Sequence, residues 1–162
     1  MIKTLCPDYK SKVGDCLQSY YRVLNHLCAL GDVEKMYITP LVDKKASILD
    51  KQILVLDLGC GQGRVAAHMA AATGAQVTGL NIDPNQVTQA KEFNEQMGLR
   101  NSFTTHDMNE LPLPFEDNSF DAFYQIQAPS LFKDPPALFR ELRMVLKPNA
   151  KISLLDWVTY LF

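Results

Sequence analysis

The chain has 162 residues, enough for one domain with a real core. Hydrophobic residues make up 47%, as in globular proteins, and 16 basic against 18 acidic residues leave a net charge of −2. That balance argues against a nucleic-acid surface, which needs clustered Lys and Arg, and no run approaches the ~18 apolar residues of a spanning helix. Cys6, Cys16, Cys28 and Cys60 lack metal-ligand spacing, so no metal site is expected. Four free thiols in a reducing compartment are the expectation. The first residues lack the apolar core of a signal peptide, which points to the cytoplasm.

Taken in chain order, residues 1–52 read as an N-terminal helical cap, with apolar residues at near-helical spacing over Cys16–Leu30. Ile53–Leu58 reads as a buried strand and Gln62–Thr73 as a helix stopped by Gly74. Gln76–Asn81 alternates as a second strand. Pro84–Met97 is a helix with Asp83 as N-cap, Pro84 at N1 and Gly98 at its C-terminal end. Asn101–His106 is a third strand. Phe120–Ile126 is a fourth, after the turn Phe115-Glu-Asp-Asn-Ser. Pro135–Leu146 is a helix closed by Lys147-Pro148-Asn149, and Lys151–Trp157 is a fifth strand. Repeated β-α-β units with short links predict a doubly wound, mostly parallel α/β sheet over residues 53–162. Ligands of such sheets sit beyond the carboxyl ends of the strands.

The motif with most chemical content is Val55-Leu56-Asp57-Leu58-Gly59-Cys60-Gly61-Gln62-Gly63. An apolar strand ends in an acid, a turn carries glycines at alternate positions, and a helix follows. Glycine lets backbone approach a ligand closely, unpaired amides at a helix start favour anionic groups, and Asp57 can accept hydrogen bonds from cationic or hydroxyl groups. The spacing is G-x-G-x-G, not the G-x-G-x-x-G of dinucleotide sites. It resembles the E/DxGxGxG loop of class I methyltransferases, which wraps the methionine end of S-adenosylmethionine. Asn109-Glu-Leu-Pro-Leu-Pro-Phe-Glu-Asp-Asn-Ser-Phe-Asp121 is similar to that family's "LPFPDNSFD" link into strand four.

The resemblance covers Val55 to Trp157 and implies a Rossmann-like fold. It implies a cofactor contact set of Asp57, Gly59, Cys60, Gly61, Gly63, Asn81, Ile82, Asp107, Met108 and Gln125. Many members carry an acid where Asn81 stands, holding the ribose hydroxyls. Asn81 can still hydrogen-bond them but brings no carboxylate. Asp83, two residues on, reads first as a helix cap. Asp107 matches the acid that faces the adenine amino group. Gln125 and Gln127 are polar on an apolar strand and are expected to share one face.

Val77-Thr-Gly-Leu-Asn81, Val145-Leu-Lys-Pro148 and Asp156-Trp157 resemble sterol 24-C-methyltransferases and their small-molecule relatives. So do Ser19-Tyr20-Tyr21-Arg22 and Glu34-Lys35-Met36-Tyr37 ahead of the core. That family transfers methyl to an alkene carbon of a lipid side chain, with aromatics that stabilise a carbocation. The resemblance implies in-line displacement, with S-adenosylhomocysteine as product and proximity and orientation as the protein's contribution. Candidate catalytic residues are Gln127, Tyr20 and Tyr21. The tyrosines, with Tyr37, fit a lid over the sulfonium and simple packing on the sheet equally well.

There are departures from the family. It has an acid at Gln127 and a His at Leu131, so two proton acceptors are gone. Without a base, C-methylation is favoured over O-methylation, with N- and S-methylation also open. Asn149-Ala150 stands for glycines, a mild loss because Asn tolerates a left-handed turn. The family continues beyond strand five and carries a helix before strand one, so missing segments are the expectation. A bare apolar fifth strand is an association hazard, compatible with homo-oligomerisation. The expected partner is a small-molecule or lipid substrate, with peripheral membrane association in the lipid case. Two rival classes remain, a non-catalytic cofactor-binding module and a nucleotide-dependent oxidoreductase. The glycine spacing and Asn81 speak against the latter.

Overall fold

The computed structural model describes residues 52–128 and 131–155. The expected cap over residues 1–52 with Tyr20, Tyr21 and Tyr37, the thiols Cys6, Cys16 and Cys28, and Asp156 and Trp157 lie outside the described residues, Gln52 excepted.

Strand β1 (Leu54–Leu58) is apolar apart from Asp57 and buried from Val55 onward, the pattern of a central parallel strand. Helix α1 (Arg64–Thr73) starts two residues later than Gln62, because Gly63 at its N-cap holds a left-handed φ of 71°. It buries Val65, Ala66, Ala67 and Ala70 and stops at Gly74, whose left-handed amide donates to the Ala70 carbonyl. Strand β2 (Gln76–Asn81) leads to helix α2 (Pro84–Gln96), where the Asp83 side chain accepts from the Asn85 amide at 2.9 Å. Asp83 is therefore the cap that its sequence position predicts. Strands β3 (Ser102–Thr105) and β4 (Phe120–Ile126), helix α3 (Pro135–Val145) and strand β5 (Leu146–Leu155) complete the order.

All five strands are parallel, in the order β3-β2-β1-β4-β5. From β1 at the centre, the described chain winds outward to β3, then returns to the other side of β1 at β4. That reversal opens a crevice at the carboxyl ends of β1 and β4. Leu56, Leu58, Val77, Leu80, Phe123, Leu142 and Val145 are the largest fully buried apolar side chains of the core among the described residues.

The amino ends of the strands are tied by side chains. Asp121, at the start of β4, accepts from the Leu54 amide at 3.0 Å and from Lys147 Nζ at 2.8 Å, both through Oδ2. The link before β4 caps the end of α3, with the amides of Asn118 and Ser119 donating to the carbonyls of Met144 and Val145. Phe115 meets Phe120 edge-on at 5.1 Å. Beside this corner, the expected closure at Lys147-Pro148-Asn149 proves to be an irregularity inside β5. Phe120 pairs with Leu146 and Ala122 with Lys151, so residues 147–150 loop out of register. Asn149 takes the left-handed conformation there, at φ 64°, the tolerance its residue type predicts.

Candidate active site

Three buried polar side chains stand at or near the carboxyl ends of adjacent strands, Asp57 on β1, Asn81 on β2 and Gln125 on β4. Burial without a full set of partners costs free energy, so their contacts decide what the site can hold. Asp57 is opposite Gly79 and Tyr124 in the sheet. The Tyr124 hydroxyl donates to Asp57 Oδ2 at 2.7 Å. Oδ1 takes no hydrogen bond from the described residues. Burial pushes the Asp57 carboxyl up to about 7, and the Tyr124 bond opposes that rise.

Gln125 is fully buried, and its Nε2 donates to Met108 Sδ at 3.6 Å. Its Oε1 has no hydrogen-bond partner among the described residues. Asn81 is better fixed, because its Nδ2 donates to Oε1 of the buried Gln86 at 2.5 Å. Gln86 occupies the N3 position of α2, where it can reach back toward the strand end. With the donor side of Asn81 engaged, Oδ1 is the atom left for an incoming hydroxyl. Sequence reasoning missed Gln86 as the orienting partner, although its place three residues after the cap was the available signal.

The glycine turn divides its labour. The amides of Gly59 and Cys60 both donate to the Leu80 carbonyl, at 2.7 and 3.1 Å, and the Gly63 amide donates to the Cys60 carbonyl at 3.0 Å. The amides of Gly61 and Gln62 have no partner among the described residues, which narrows the set presented to a ligand. A Cβ on Gly61 would come no closer than 4.0 Å to any neighbour, so that side of the turn is open. A Cβ on Gly63 would lie 2.9 Å from both Ala90 Cβ and a Phe103 ring carbon, so this glycine lets α1 pack on α2 and β3. A Cβ on Gly59 would reach Ala128 Cβ at 3.1 Å. Cys60 turns its thiol onto β2, where Gly79 makes room for it, and burial raises that thiol well above its ordinary range. Cys60 is a free thiol.

On the β3 side, Asp107 Oδ1 accepts from both the amide and the side-chain Nδ2 of Asn109, at 2.9 and 3.0 Å. Met108 is buried beneath Gln125, and Ile82 is half-buried. His106 is held through its ring by the Glu110 carbonyl at 2.8 Å, and His68 is exposed on α1.

Gln127 does not share a face with Gln125. Strand β4 ends at Ile126, and Gln127 takes a left-handed φ of 60°, which breaks the alternation of the strand. Its amide donates to the Leu155 carbonyl at 2.6 Å, and its side chain is half-buried while Gln125 is fully buried. Leu131 is buried, with its amide on the Ala128 carbonyl. Neither position supplies a proton acceptor.

The residues fit the group that the glycine motif implies. An open glycine cradle, an acid with a spare oxygen, an oriented Asn carbonyl and an orphaned buried Gln carbonyl offer acceptors to a ligand rich in ammonium, hydroxyl and amino donors. Among the described residues, no group of three His, Cys, Asp or Glu is placed to hold a metal, and no helix is long and apolar enough to cross a membrane.

Residues 56–154 match the family described as "Methyltransferase domain". A sterol 24-C-methyltransferase of Gibberella zeae is 36% identical over 161 residues, covering 96% of this chain and 42% of its own length. A methyltransferase of Penicillium fellutanum is 32% identical over 142 residues, covering 85% of this chain and 43% of its own. The chain spans less than half the length of such relatives. Among solved structures, the [4+2]-cyclase SpnF aligns over 87% of this chain and 59% of its own at 26% identity, with a TM-score of 0.72.

Proposed function

The chain belongs to the class I, Rossmann-like methyltransferase family, and from that premise we propose that it is an S-adenosylmethionine-dependent methyltransferase acting on a small molecule or a lipid such as a sterol. The observation that carries this reading is the cluster of buried acceptors around the glycine turn. Asp57, Asn81 and Gln125 stand at neighbouring strand ends with Oδ1, Oδ1 and Oε1 left uncommitted by the described residues. When bound, S-adenosylmethionine supplies an electrophilic methyl group for in-line transfer to the acceptor.

The chain's own residues bind, orient and exclude water. The turn at Gly59 and Gly61 admits the ligand backbone-close. Asp57 accepts from its ammonium or hydroxyl groups, Asn81 Oδ1 from the ribose diol, and Asp107 from the adenine amino group. Cys60 and Gly63 shape the turn, while Ile82 and Met108 supply apolar walls. Gln127 and Leu131 provide no base, which favours an acceptor atom that is nucleophilic without deprotonation, an alkene carbon first and an amine or sulfur next. Relatives named as sterol 24-C-methyltransferases support carbon as the accepting atom.

A second reading is favoured by the structural neighbour named as a [4+2]-cyclase. That name states a reaction other than methyl transfer, and in this second reading the present chain is a cofactor-binding module that does not pass on a methyl group.

The test is a calorimetric titration of S-adenosylmethionine into the full chain, with Asp57→Ala beside it. Micromolar binding that disappears in the variant establishes the site. A folded wild-type chain that does not bind removes the reading. Release of S-adenosylhomocysteine in the presence of sterols, amines or thiols then separates transfer from binding alone.

A further inference from the structure

Asn109 uses both ends of its side-chain amide on two different segments. Its Nδ2 donates to Asp107 Oδ1 at 3.0 Å and to the Leu131 carbonyl at 3.4 Å. Its Oδ1 accepts from the Lys133 amide at 2.8 Å. The two ends of an amide are assigned from their partners, and here the partners agree, since two are acceptors and one is an N–H donor. The backbone amide of Asn109 adds a further bond to Asp107 Oδ1 at 2.9 Å. One half-buried side chain therefore ties the turn after β3 to the segment after β4, 24 residues away.

Asp107 Oδ1 is committed to Asn109 through two bonds, so the direction of Oδ2 follows from Asn109. On the other side, the Lys133 amide lies in no strand ladder and no helix, and its bond to Asn109 holds it against the turn after β3.

We infer that Asn109 is a positioning residue that couples the cofactor-facing acid, Asp107, to the acceptor-side segment 131–133, so that occupancy of the cofactor site orders the acceptor side. This rests on the cofactor reading proposed above. The coupling runs in both directions, as any binding linkage must.

The Lys133 amide reports on the bond directly, because its hydrogen-exchange protection comes from the Asn109 side chain. S-adenosylhomocysteine is the probe, added to the full chain under saturating conditions. In the wild type it slows Lys133 exchange roughly tenfold, a typical coupling. In Asn109→Ala, affinity for the probe falls by about the same factor, and saturating probe no longer changes exchange across residues 131–133. Asn109→Asp divides the two halves. It keeps an oxygen for the Lys133 amide, so basal protection there stays close to wild type. It also sets a carboxylate against Asp107, so probe affinity drops at least as far as in the alanine variant.

A wild-type chain that binds the probe with Lys133 exchange unchanged overturns the coupling while leaving the cofactor site standing. So does probe-induced protection of residues 131–133 that survives in Asn109→Ala. A wild-type chain that does not bind the probe overturns the cofactor reading and the coupling with it. Should the alanine variant fail to fold, the wild-type measurement and Asn109→Asp decide the matter alone.

Discussion

Two aspartates stand at opposite ends of the same sheet in opposite states. Asp121, at the amino end of β4, is partly exposed and holds the Leu54 amide and the Lys147 ammonium on one oxygen. Asp57, at the carboxyl end of β1, is buried, and among the described residues the Tyr124 hydroxyl is its one hydrogen-bond donor and no cation pairs with it. The first arrangement stabilises the fold and leaves no task undone. The second is costly in the empty protein and becomes favourable when a donor arrives. The difference supports the site proposed above, at the end of the sheet where buried acceptors outnumber their donors among the described residues.

Exchanging each acid for its amide breaks the comparison most directly. Asp57→Asn removes a charge-assisted acceptor and should weaken S-adenosylmethionine binding about 10- to 100-fold. At pH 8 it should also raise folding stability by about 1–3 kcal/mol, because a buried charge without a cation disappears. Asp121→Asn should do the reverse, costing about 1 kcal/mol of stability, a figure kept small because the Lys147 pair is partly exposed, with no change in affinity. Calorimetry and urea unfolding on both variants check the pair. A loss of stability in Asp57→Asn at pH 8 would contradict the assignment of strain to this carboxyl.

The same carboxyl makes the contrast pH-dependent. Its folded value of about 7 lies above the ordinary 3.8. Between these values the folded state keeps a proton that the unfolded state has lost. The stabilisation is complete below about pH 4, declines as pH rises, and is gone above about 7. Binding of a cationic ligand runs the other way, since it wants the carboxylate. Affinity should climb up to tenfold per pH unit toward 7 and level off above it. Asp57→Asn should flatten both profiles.

Gly79 sharpens the comparison from the packing side. A Cβ there would lie 2.6 Å from a Phe103 ring carbon and 2.8 Å from the Cys60 side chain. Gly79→Ala should therefore cost about 1–3 kcal/mol by overpacking. Phe103→Leu in the same chain should recover part of that, since the two residues touch. Unfolding midpoints measure both.

Much of this arrangement could be read from residue order because it depends on local rules. Val55-Leu56-Asp57-Leu58 is apolar enough to be a central strand, Asp83-Pro84 is a helix start, and the glycine turn needs residues without Cβ. The parallel topology followed from those units. What escaped depends on contacts between distant residues or on a single dihedral. Gln127 carries the right chemistry on an apparent strand, yet a left-handed φ takes it off the face of Gln125. Asn109 looks like one more loop residue until Lys133 is folded against it. Gly79 reads as a weak strand residue, and only the packing of Cys60 and Phe103 shows why nothing larger fits.

The smallest effects come from two non-glycine residues that share one backbone conformation at opposite ends of the sheet. Asn149, at φ 64°, lies in the irregular stretch of β5 near Asp121, and Gln127, at φ 60°, lies just past β4 near Gln125. Glycine relieves left-handed strain, about 1 kcal/mol for most residues and less for Asn, but adds freedom to the unfolded chain. For Asn149→Gly the two nearly cancel, leaving stability within about 0.5 kcal/mol of wild type and ligand affinity untouched. Gln127→Gly gains more from strain relief, because Gln has no special tolerance for this conformation. If the strain at Gln127 serves the site, as held outliers often do, its relief should be accompanied by weaker binding of S-adenosylhomocysteine. Equal and unchanged affinities in both variants would place the strain at Gln127 outside function, and the division between the two ends of the sheet would then rest on Asp57 and Asp121 alone.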